Sequence, residues 1–168
     1  MGVSEAATPT GAEGVGTVGE ESLYTEDSYR IEESVGYLLA QLRARLVSAV
    51  DAESAGYDIT AAQWSTLLYI GNGHCRTAAE LCRRTSCDTG SMTRMLDRLE
   101  EKGLIRRSRS TEDRRVVNIE FTPAGSELFP KLPSIAIRVL NRHLRGFSRD
   151  ELEQLKSYLR RMLANAED

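Results

Sequence analysis

The chain has 168 residues, of which 40% are hydrophobic and 28% are charged, and its net charge is −3. The length matches one ordinary domain and the apolar fraction is sufficient for a core, and nothing in the composition indicates a fibre. No run approaches the about 20 consecutive apolar residues that a membrane helix needs, and no basic-then-apolar signal opens the sequence, so we expect a cytoplasmic protein without a membrane partner.

The first 58 residues divide into an acidic arm and a long helix. Residues 1–25 are rich in Gly, Ala, Thr and Glu, and a segment with so few large apolar side chains is expected to be disordered. From Tyr29 to Ala55 apolar residues recur at three- and four-residue spacing, which predicts a helix on the order of 40 Å long at about 1.5 Å per residue. Because such a helix is long for a small monomer, we assign residues 26–58 to dimerisation. Its stripe consists of Val35, Leu38, Leu39, Leu42, Leu46 and Val50.

Three shorter helices follow, each opened by a capping residue. Thr60 with Gln63 and Thr77 with Glu80 have the spacing of a capping box, and Asp88 caps the third helix. We expect these helices to cover about residues 60–71, 77–84 and 88–102, with glycines or turns between them. The apolar inner face of the third helix consists of Met92, Met95, Leu96 and Leu99.

A charged hairpin comes next. Residues 104–109 and 116–121 have the composition of two strands, and the charged segment 110–115 joins them at a tip. Within that tip, Asp113 is best interpreted as structural, either capping the turn or holding a nearby arginine.

The last 46 residues are predicted to be helical. Pro123 fits the first turn of a helix, whereas Pro130 and Pro133 are expected to kink or interrupt it. Ser148 with Glu151 opens a final helix by another capping box. We assign residues 123–168 to dimerisation, because terminal helices with apolar stripes need a surface to pack on. The final stripe consists of Leu152, Leu155, Leu159 and Met162.

Together these elements predict a mainly α fold with a small β-hairpin wing, of the α+β class. Residues 59–122 have the layout of a winged helix-turn-helix, flanked by N- and C-terminal dimerisation helices. Residues 76–115 carry eleven basic and seven acidic side chains, or +4, whereas residues 1–33 carry −7. Since local charge steers a polyanion, the module is predicted to bind double-stranded DNA, with the helix of residues 88–102 in the major groove. The candidate contacts are Thr89, Ser91, Thr93, Arg94 and Arg98 on that helix, and Arg109, Arg114 and Arg115 on the wing.

Both parts of this surface have a simpler interpretation. The helix would be merely solvated if Asp97 or Glu101 formed salt bridges with Arg94 or Arg98. The hairpin would then be an ordinary exposed charged loop. On the DNA-binding hypothesis, by contrast, Arg94 is the best placed side chain for a bidentate contact to guanine.

Several segments of this chain resemble the MarR (multiple antibiotic resistance regulator) family of bacterial transcription factors. They are Ile59 to Trp64 (ITAAQW), Thr93 to Arg107 (TRMLDRLEEKGLIRR), Glu112 to Ile119 (EDRRVVNI) and Phe121 to Gly125 (FTPAG). The resemblance covers roughly residues 30 to 165. It implies a homodimer whose terminal helices interlock and whose two winged helices read a near-palindrome. Many members of the family are repressors that small phenolic or aromatic acids release from DNA.

The resemblance raises the question of an effector site. Tyr37, Arg43, Trp64 and Tyr69 lie on the first two predicted helices, and an aromatic wall with one cation suits an aromatic carboxylate. These four are our candidate ligand-binding residues, although each of them has an alternative role as a core or solvated side chain.

The cysteines support a second regulatory hypothesis. Cys75, Cys82 and Cys87 lie near the turn into the helix predicted for residues 88–102, which their oxidation could displace. Cys87 is close to the N-terminus of that helix, and such a position can lower the pKa of a thiol. Their odd number argues against a disulfide framework, and their spacings match no standard zinc pattern. The peroxide-sensing members of the family carry a cysteine on the first helix, and this chain has none there.

Two further classes of function are alternatives to a DNA-binding regulator. A winged-helix module that binds an acidic protein would bind duplexes weakly and without sequence preference. An enzyme has little support, because the sequence contains no Gly-rich phosphate loop and no readable nucleophile–base set. We therefore expect a regulator without a metal or cofactor, with DNA, itself and a small aromatic effector as partners.

Overall fold

The computed structural model describes residues 22–111, 113, 114 and 116–166. The described part of the chain is mainly helical with one antiparallel hairpin, as predicted. The elements are α1 (Val35–Ser54), α2 (Ala61–Gly71), α3 (Ala78–Thr85), α4 (Thr89–Glu101), β1 (Ile105–Arg109), β2 (Val117–Phe121), α5 (Pro123–Leu128), α6 (Leu132–His143) and α7 (Arg149–Ala164). Short 3-10 turns lie at Ile31–Glu33, Ala55–Tyr57 and Phe129–Lys131.

The chain divides into two compact units, residues 1–38 and 39–168. In the first unit, the rings of Tyr24 and Tyr29 meet edge to face, with centroids 5.9 Å apart. The predicted first helix begins later than expected, at Val35 instead of Tyr29. The reason is Ser34, whose backbone is extended and whose Oγ accepts a hydrogen bond from the Tyr37 amide at 3.2 Å, as an N-cap does. The arm predicted for residues 1–25 lies outside the described residues as far as position 21.

In the second unit, helices begin and end at the capping residues, glycines and prolines from which the sequence predicted their boundaries. Both halves of the capping box are formed at Thr60, Thr77 and Ser148. Gly103 follows α4 with a φ of 67°, a left-handed conformation that glycine adopts without cost. Pro130 lies in the 3-10 turn that separates α5 from α6, so the expected interruption of this helix is confirmed.

The core of the second unit fixes the position of α4 and of the hairpin. Apolar side chains from α2, α3, α4, both strands and α6 form one buried cluster. The strands pair with Ile105 opposite Phe121 and Arg109 opposite Val117, and the Ile119 amide donates to the Arg76 carbonyl at 2.8 Å. The wing is therefore attached to the segment before α3 as well as to α4. The most buried members of the cluster are Leu67, Leu81, Leu96, Leu99, Ile105, Leu132, Ile135 and Val139.

The terminal helices leave much apolar surface exposed. No residue of α7 is buried, and its Leu163 side chain is 68% exposed. On α1 and α6 the same holds for Leu42 and Ile137. A single chain therefore does not cover these stripes. Within the described ranges, no helix is long and apolar enough to cross a membrane.

Candidate nucleic-acid interface

The N-terminal end of α4 is open to solvent and firmly capped. Asp88 Oδ1 accepts a hydrogen bond from the Ser91 amide at 2.9 Å, and hydrogen bonds from Ser91 hold the pKa of the Asp88 carboxyl below its usual range. Thr89 is exposed, and Thr93 Oγ1 donates to the Thr89 carbonyl at 2.8 Å, which leaves its lone pairs available as acceptors. This end of α4 thus presents small hydroxyl groups on a rigid helical turn.

Arg94 and Arg98 lie one turn apart on the exposed face of α4. Arg94 Nη2 donates to Ser91 Oγ at 3.3 Å, and neither arginine forms a salt bridge with another described residue. Two guanidinium groups without a counter-charge on a protruding helix have the charge and geometry for a duplex groove.

The carboxylates of α4 bind elsewhere. Arg107 of β1 pairs with Asp97 and with Glu100 Oε2, the latter at 2.8 Å, and its backbone amide donates to Glu100 Oε1 at 2.9 Å. These contacts hold the pKa of Glu100 below its usual range, chiefly through the backbone hydrogen bond, and raise the pKa of Arg107. The alternative in which Asp97 pairs with Arg94 or Arg98 is therefore wrong. We name Asp97, Glu100 and Arg107 the wing clasp, because they join the wing to α4.

Removal of the clasp has a predictable effect on stability. We expect Arg107→Ala to lower the free energy of unfolding by about 1–2 kcal/mol, since two charge-assisted hydrogen bonds on a partly exposed site are lost. Because the folded pKa of Glu100 is lowered, its contribution is complete above about pH 5 and is lost as pH falls through the folded value. The backbone amide of residue 107 still donates to Glu100 in Arg107→Ala, so only the side-chain part of this contribution is removed. Urea titrations between about pH 3 and 7 should therefore show a small decrease in acid sensitivity relative to the wild type. Equal acid sensitivity would contradict this assignment.

Several charged side chains of the wing are exposed among its described residues. Arg106 pairs with Glu120 across the strands at 2.8 Å, whereas Arg109 and Arg114 are exposed. The tip is closed by the Val116 amide, which donates to the Asp113 carbonyl at 2.9 Å. The Asp113 amide in turn donates to Ser110 Oγ at 3.3 Å. The eighth predicted contact, Arg115, lies outside the described residues.

A cavity of about 500 Å³ lies behind α4. Its walls come from α1, α2, the end of α3, the turn before α4, α4 itself and α6. Arg43 and Trp64 are among the lining residues. The Trp64 indole donates to the Leu132 carbonyl at 3.0 Å, so the ring has a fixed position. Tyr69 packs on the core cluster and does not line the cavity, and Tyr37 belongs to the first unit. The other walls consist of Leu46, Val47, Val50, Ala61, Ala62, Ser65, Thr66, Thr85, Cys87, Met92, Met95, Ala136, Val139 and Leu140.

Salt bridges join two of these helices, α1 and α6. Glu53 of α1 accepts from Arg138 at 2.9 Å and from Arg142 at 2.7 Å, both on α6, and these hydrogen bonds hold the pKa of Glu53 below its usual range. No local pattern in the sequence indicates this pairing or the contribution of α6 to the cavity walls. Met92 and Met95, interpreted from sequence as core, face the cavity, because a helix face that packs inward also borders any space left between helices.

The three cysteines differ in their surroundings. Cys75 is buried, and burial raises the pKa of its thiol, which disfavours the reactive thiolate. Cys82 and Cys87 are partly exposed, and Cys87 lines the cavity. Among the described residues, no group of histidine, cysteine or acidic side chains is arranged to hold a metal ion.

Comparison with known proteins agrees with this geometry. The model of the MarR family matches residues 59–117, which contain α2, α3, α4 and the hairpin up to the start of β2. The multiple antibiotic resistance protein MarR of Escherichia coli strain K12 is 35% identical over 107 residues, covering 63% of this chain and 74% of that protein. The organic hydroperoxide resistance transcriptional regulator of Bacillus subtilis is 31% identical over 137 residues, covering 82% of this chain and 92% of that protein.

Solved structures show the same relationship. A crystal structure of a cysteine-to-serine mutant of MarR from E. coli complexed with operator DNA is similar to this chain with a TM-score of 0.71 and 28% identity, covering 77% of this chain and 93% of that one. The fold and the matched sequence define a winged helix-turn-helix transcriptional regulator rather than an enzyme. The chain belongs to the MarR family.

Proposed function

We propose that this protein is a homodimeric repressor that binds a near-palindromic operator and is released from it by a small aromatic acid. One observation carries the DNA-binding part: Arg94 and Arg98 are exposed on α4 without counter-charges, while the wing clasp neutralises Asp97 and Glu100. The complex of MarR with operator DNA, to which this chain is similar, supports the same use of the fold. Such a protein would act in the cytoplasm, where bacterial DNA lies.

In this proposal each region has its own part. Residues 59–122 form the DNA-binding region, with Thr89, Ser91, Thr93, Arg94 and Arg98 in the major groove. Arg109, Arg114 and Arg115 of the wing contact the backbone or the minor groove, where negative potential is enhanced. Residues 26–58 and 123–168 form the dimer.

The test is fluorescence anisotropy of the purified protein with duplexes from its own upstream intergenic region and with scrambled duplexes, across a salt series. Selective binding to the native duplex that weakens steeply with salt supports a sequence-specific regulator. Equally weak binding to both duplexes would favour a winged-helix module for a protein partner. Selection of bound genomic fragments would then show whether the operator lies elsewhere in the genome.

The dimer is supported by the exposed apolar stripes of α1, α6 and α7. We expect the wild type to sediment as a dimer, and Met162→Asp combined with Leu163→Asp to raise its dissociation constant at least about 100-fold, because each carboxylate would be buried without a partner. The control is Ser157→Asp, an exposed position on α7 off the stripe, which should remain dimeric. A monomeric wild type, or a double variant that dimerises normally, would refute the assignment.

The effector site is supported by the cavity, whose walls include α4 and one cation, Arg43. A ligand there would contact Met92 and Met95 on the inner face of α4 and thereby change the position of its outer face. A carboxylate suits Arg43, and Trp64 provides an aromatic wall.

A prediction follows for small aromatic carboxylates. Benzoate is expected to reduce operator affinity in the wild type, and Arg43→Gln should raise the benzoate concentration required by about 10-fold or more, since a charge-assisted hydrogen bond is lost. Arg45→Gln, two residues along α1 and not in the cavity wall, is the matched control. The uncharged analogue benzyl alcohol should not distinguish the two variants. If both variants respond to benzoate like the wild type, Arg43 does not bind the carboxylate.

A further inference from the structure

A second concave site lies on one face of α3, and its two arginines are not among the candidate DNA contacts named above. It has a volume of about 400 Å³ and is lined by His74, Glu80, Arg83 and Arg84. His74 and both arginines are exposed. Neither arginine forms a salt bridge with any other residue that the structure describes.

The one carboxylate in this site, that of Glu80, is already hydrogen-bonded to the backbone. Glu80 Oε2 accepts hydrogen bonds from the backbone amides of Arg76 at 2.6 Å and Thr77 at 3.0 Å, completing the capping box of α3. These hydrogen bonds hold the pKa of Glu80 below its usual range, and the largest effect is that of the Arg76 amide. The Glu80 carboxylate thus occupies the N-terminus of α3. The positive charge available to a ligand is that of the two arginines.

The site lies next to both parts of the proposed DNA surface. Arg83 and Arg84 are in the last turn of α3, and the short turn after Thr85 leads directly to Asp88 and the exposed end of α4. On the other side, the Arg76 carbonyl accepts the hydrogen bond from Ile119 of the wing. In a helix-turn-helix whose second helix enters the major groove, the first helix crosses the phosphate backbone at that groove's edge.

We propose that Arg83 and Arg84, with His74 beside them, form a phosphate site that binds the operator backbone next to the groove read by α4. This inference rests on the proposed function. The two arginines position the duplex and carry no sequence information, whereas Arg94 reads bases.

The test compares the double variant R83A/R84A with the wild type on native and scrambled duplexes across a salt series. Each lost phosphate contact should reduce the slope of log affinity against log salt by roughly 0.9, which is roughly a 5-fold loss at physiological salt. For each half-site, the double variant should therefore bind both duplexes roughly 25-fold more weakly, with its selectivity unchanged. R83K/R84K should retain most of the affinity, and K131A/R145A, which removes two cations from beyond the wing, should behave as the wild type.

A second measurement uses only DNA changes and so does not depend on how the variants fold. Neutral methylphosphonates are placed one at a time along the operator. The proposal requires positions, flanking the groove, at which neutralisation weakens the wild type but not R83A/R84A. An unchanged salt slope in R83A/R84A, a loss confined to the native duplex, or the absence of such positions would each overturn it. If inorganic phosphate stabilised the wild type alone without altering DNA binding, the site would be one for free phosphate and the proposal would also fail. Loss of selectivity in the wild type itself would instead refute the proposed function.

Discussion

Arg94→Ala should bind the operator more weakly while binding scrambled DNA almost as well as the wild type does. A bidentate contact between arginine and the O6 and N7 acceptors of guanine contributes about 1–3 kcal/mol of discrimination. The affinity ratio between native and scrambled duplexes should therefore fall by roughly 5- to 150-fold for each half-site. The wing clasp supports this prediction, because Asp97 is bound to Arg107 and therefore does not neutralise the charge of Arg94.

The matched control is Lys131→Ala, which removes one exposed cation from the 3-10 turn after α5. It changes the net charge equally and should leave the ratio intact. If Arg94→Ala kept the full ratio, the placement of α4 in the groove would be wrong.

Arg109→Ala, on the wing, should instead weaken binding to both duplexes and reduce the slope of log affinity against log salt.

Gly125→Ala should destabilise the whole second unit. A Cβ atom at this position would lie 2.0 Å from the Leu104 carbonyl oxygen and 2.9 Å from Phe121 Cδ1. The first neighbour is backbone at the base of the wing, which cannot move as a side chain does. Thr122 tightens the same junction, since its Oγ1 accepts from the Gly125 amide at 3.1 Å and donates to the Gly103 carbonyl.

We expect a loss of about 3 kcal/mol or more, at the upper end of the cost of overpacking. At about 2–4 °C per kcal/mol for a chain of this size, the melting temperature should fall by roughly 10 °C. Gly56→Ala is the control, because nothing lies within 4 Å of its added Cβ. A melting curve of Gly125→Ala that coincides with that of the wild type would show that α5 and the wing are not packed as described.

The features predicted from sequence are those that short-range chemistry determines. The caps at Thr60, Thr77 and Ser148 depend on residues three positions apart, so the sequence displays both partners. The wing was recognisable because two alternating strands flank a short charged tip. The start of α1 is not predictable from the spacing of apolar residues, because it depends on the extended backbone conformation of Ser34.

The features that sequence missed depend on contacts between elements. Helical spacing favours the pairing of Asp97 with Arg94, three residues earlier. The turn at Gly103, however, brings Arg107 back over α4, where it binds two carboxylates. The cavity has the same origin, since its walls come from five helices, from α1 to α6. An aromatic residue such as Tyr69 matches the chemistry of a ligand wall, but only packing determines which way the ring points.

The most direct test of the central claim, that α4 reads the major groove, is a double-mutant cycle between protein and DNA. Each operator guanine is replaced in turn by 7-deazaguanine, which removes the N7 acceptor, and the affinities of the wild type and Arg94→Ala are measured. We expect one guanine per half-site at which the replacement weakens the wild type but not the variant, with a coupling of about 1 kcal/mol or more. Zero coupling at every guanine would contradict the contact between Arg94 and guanine on which the account of specificity depends.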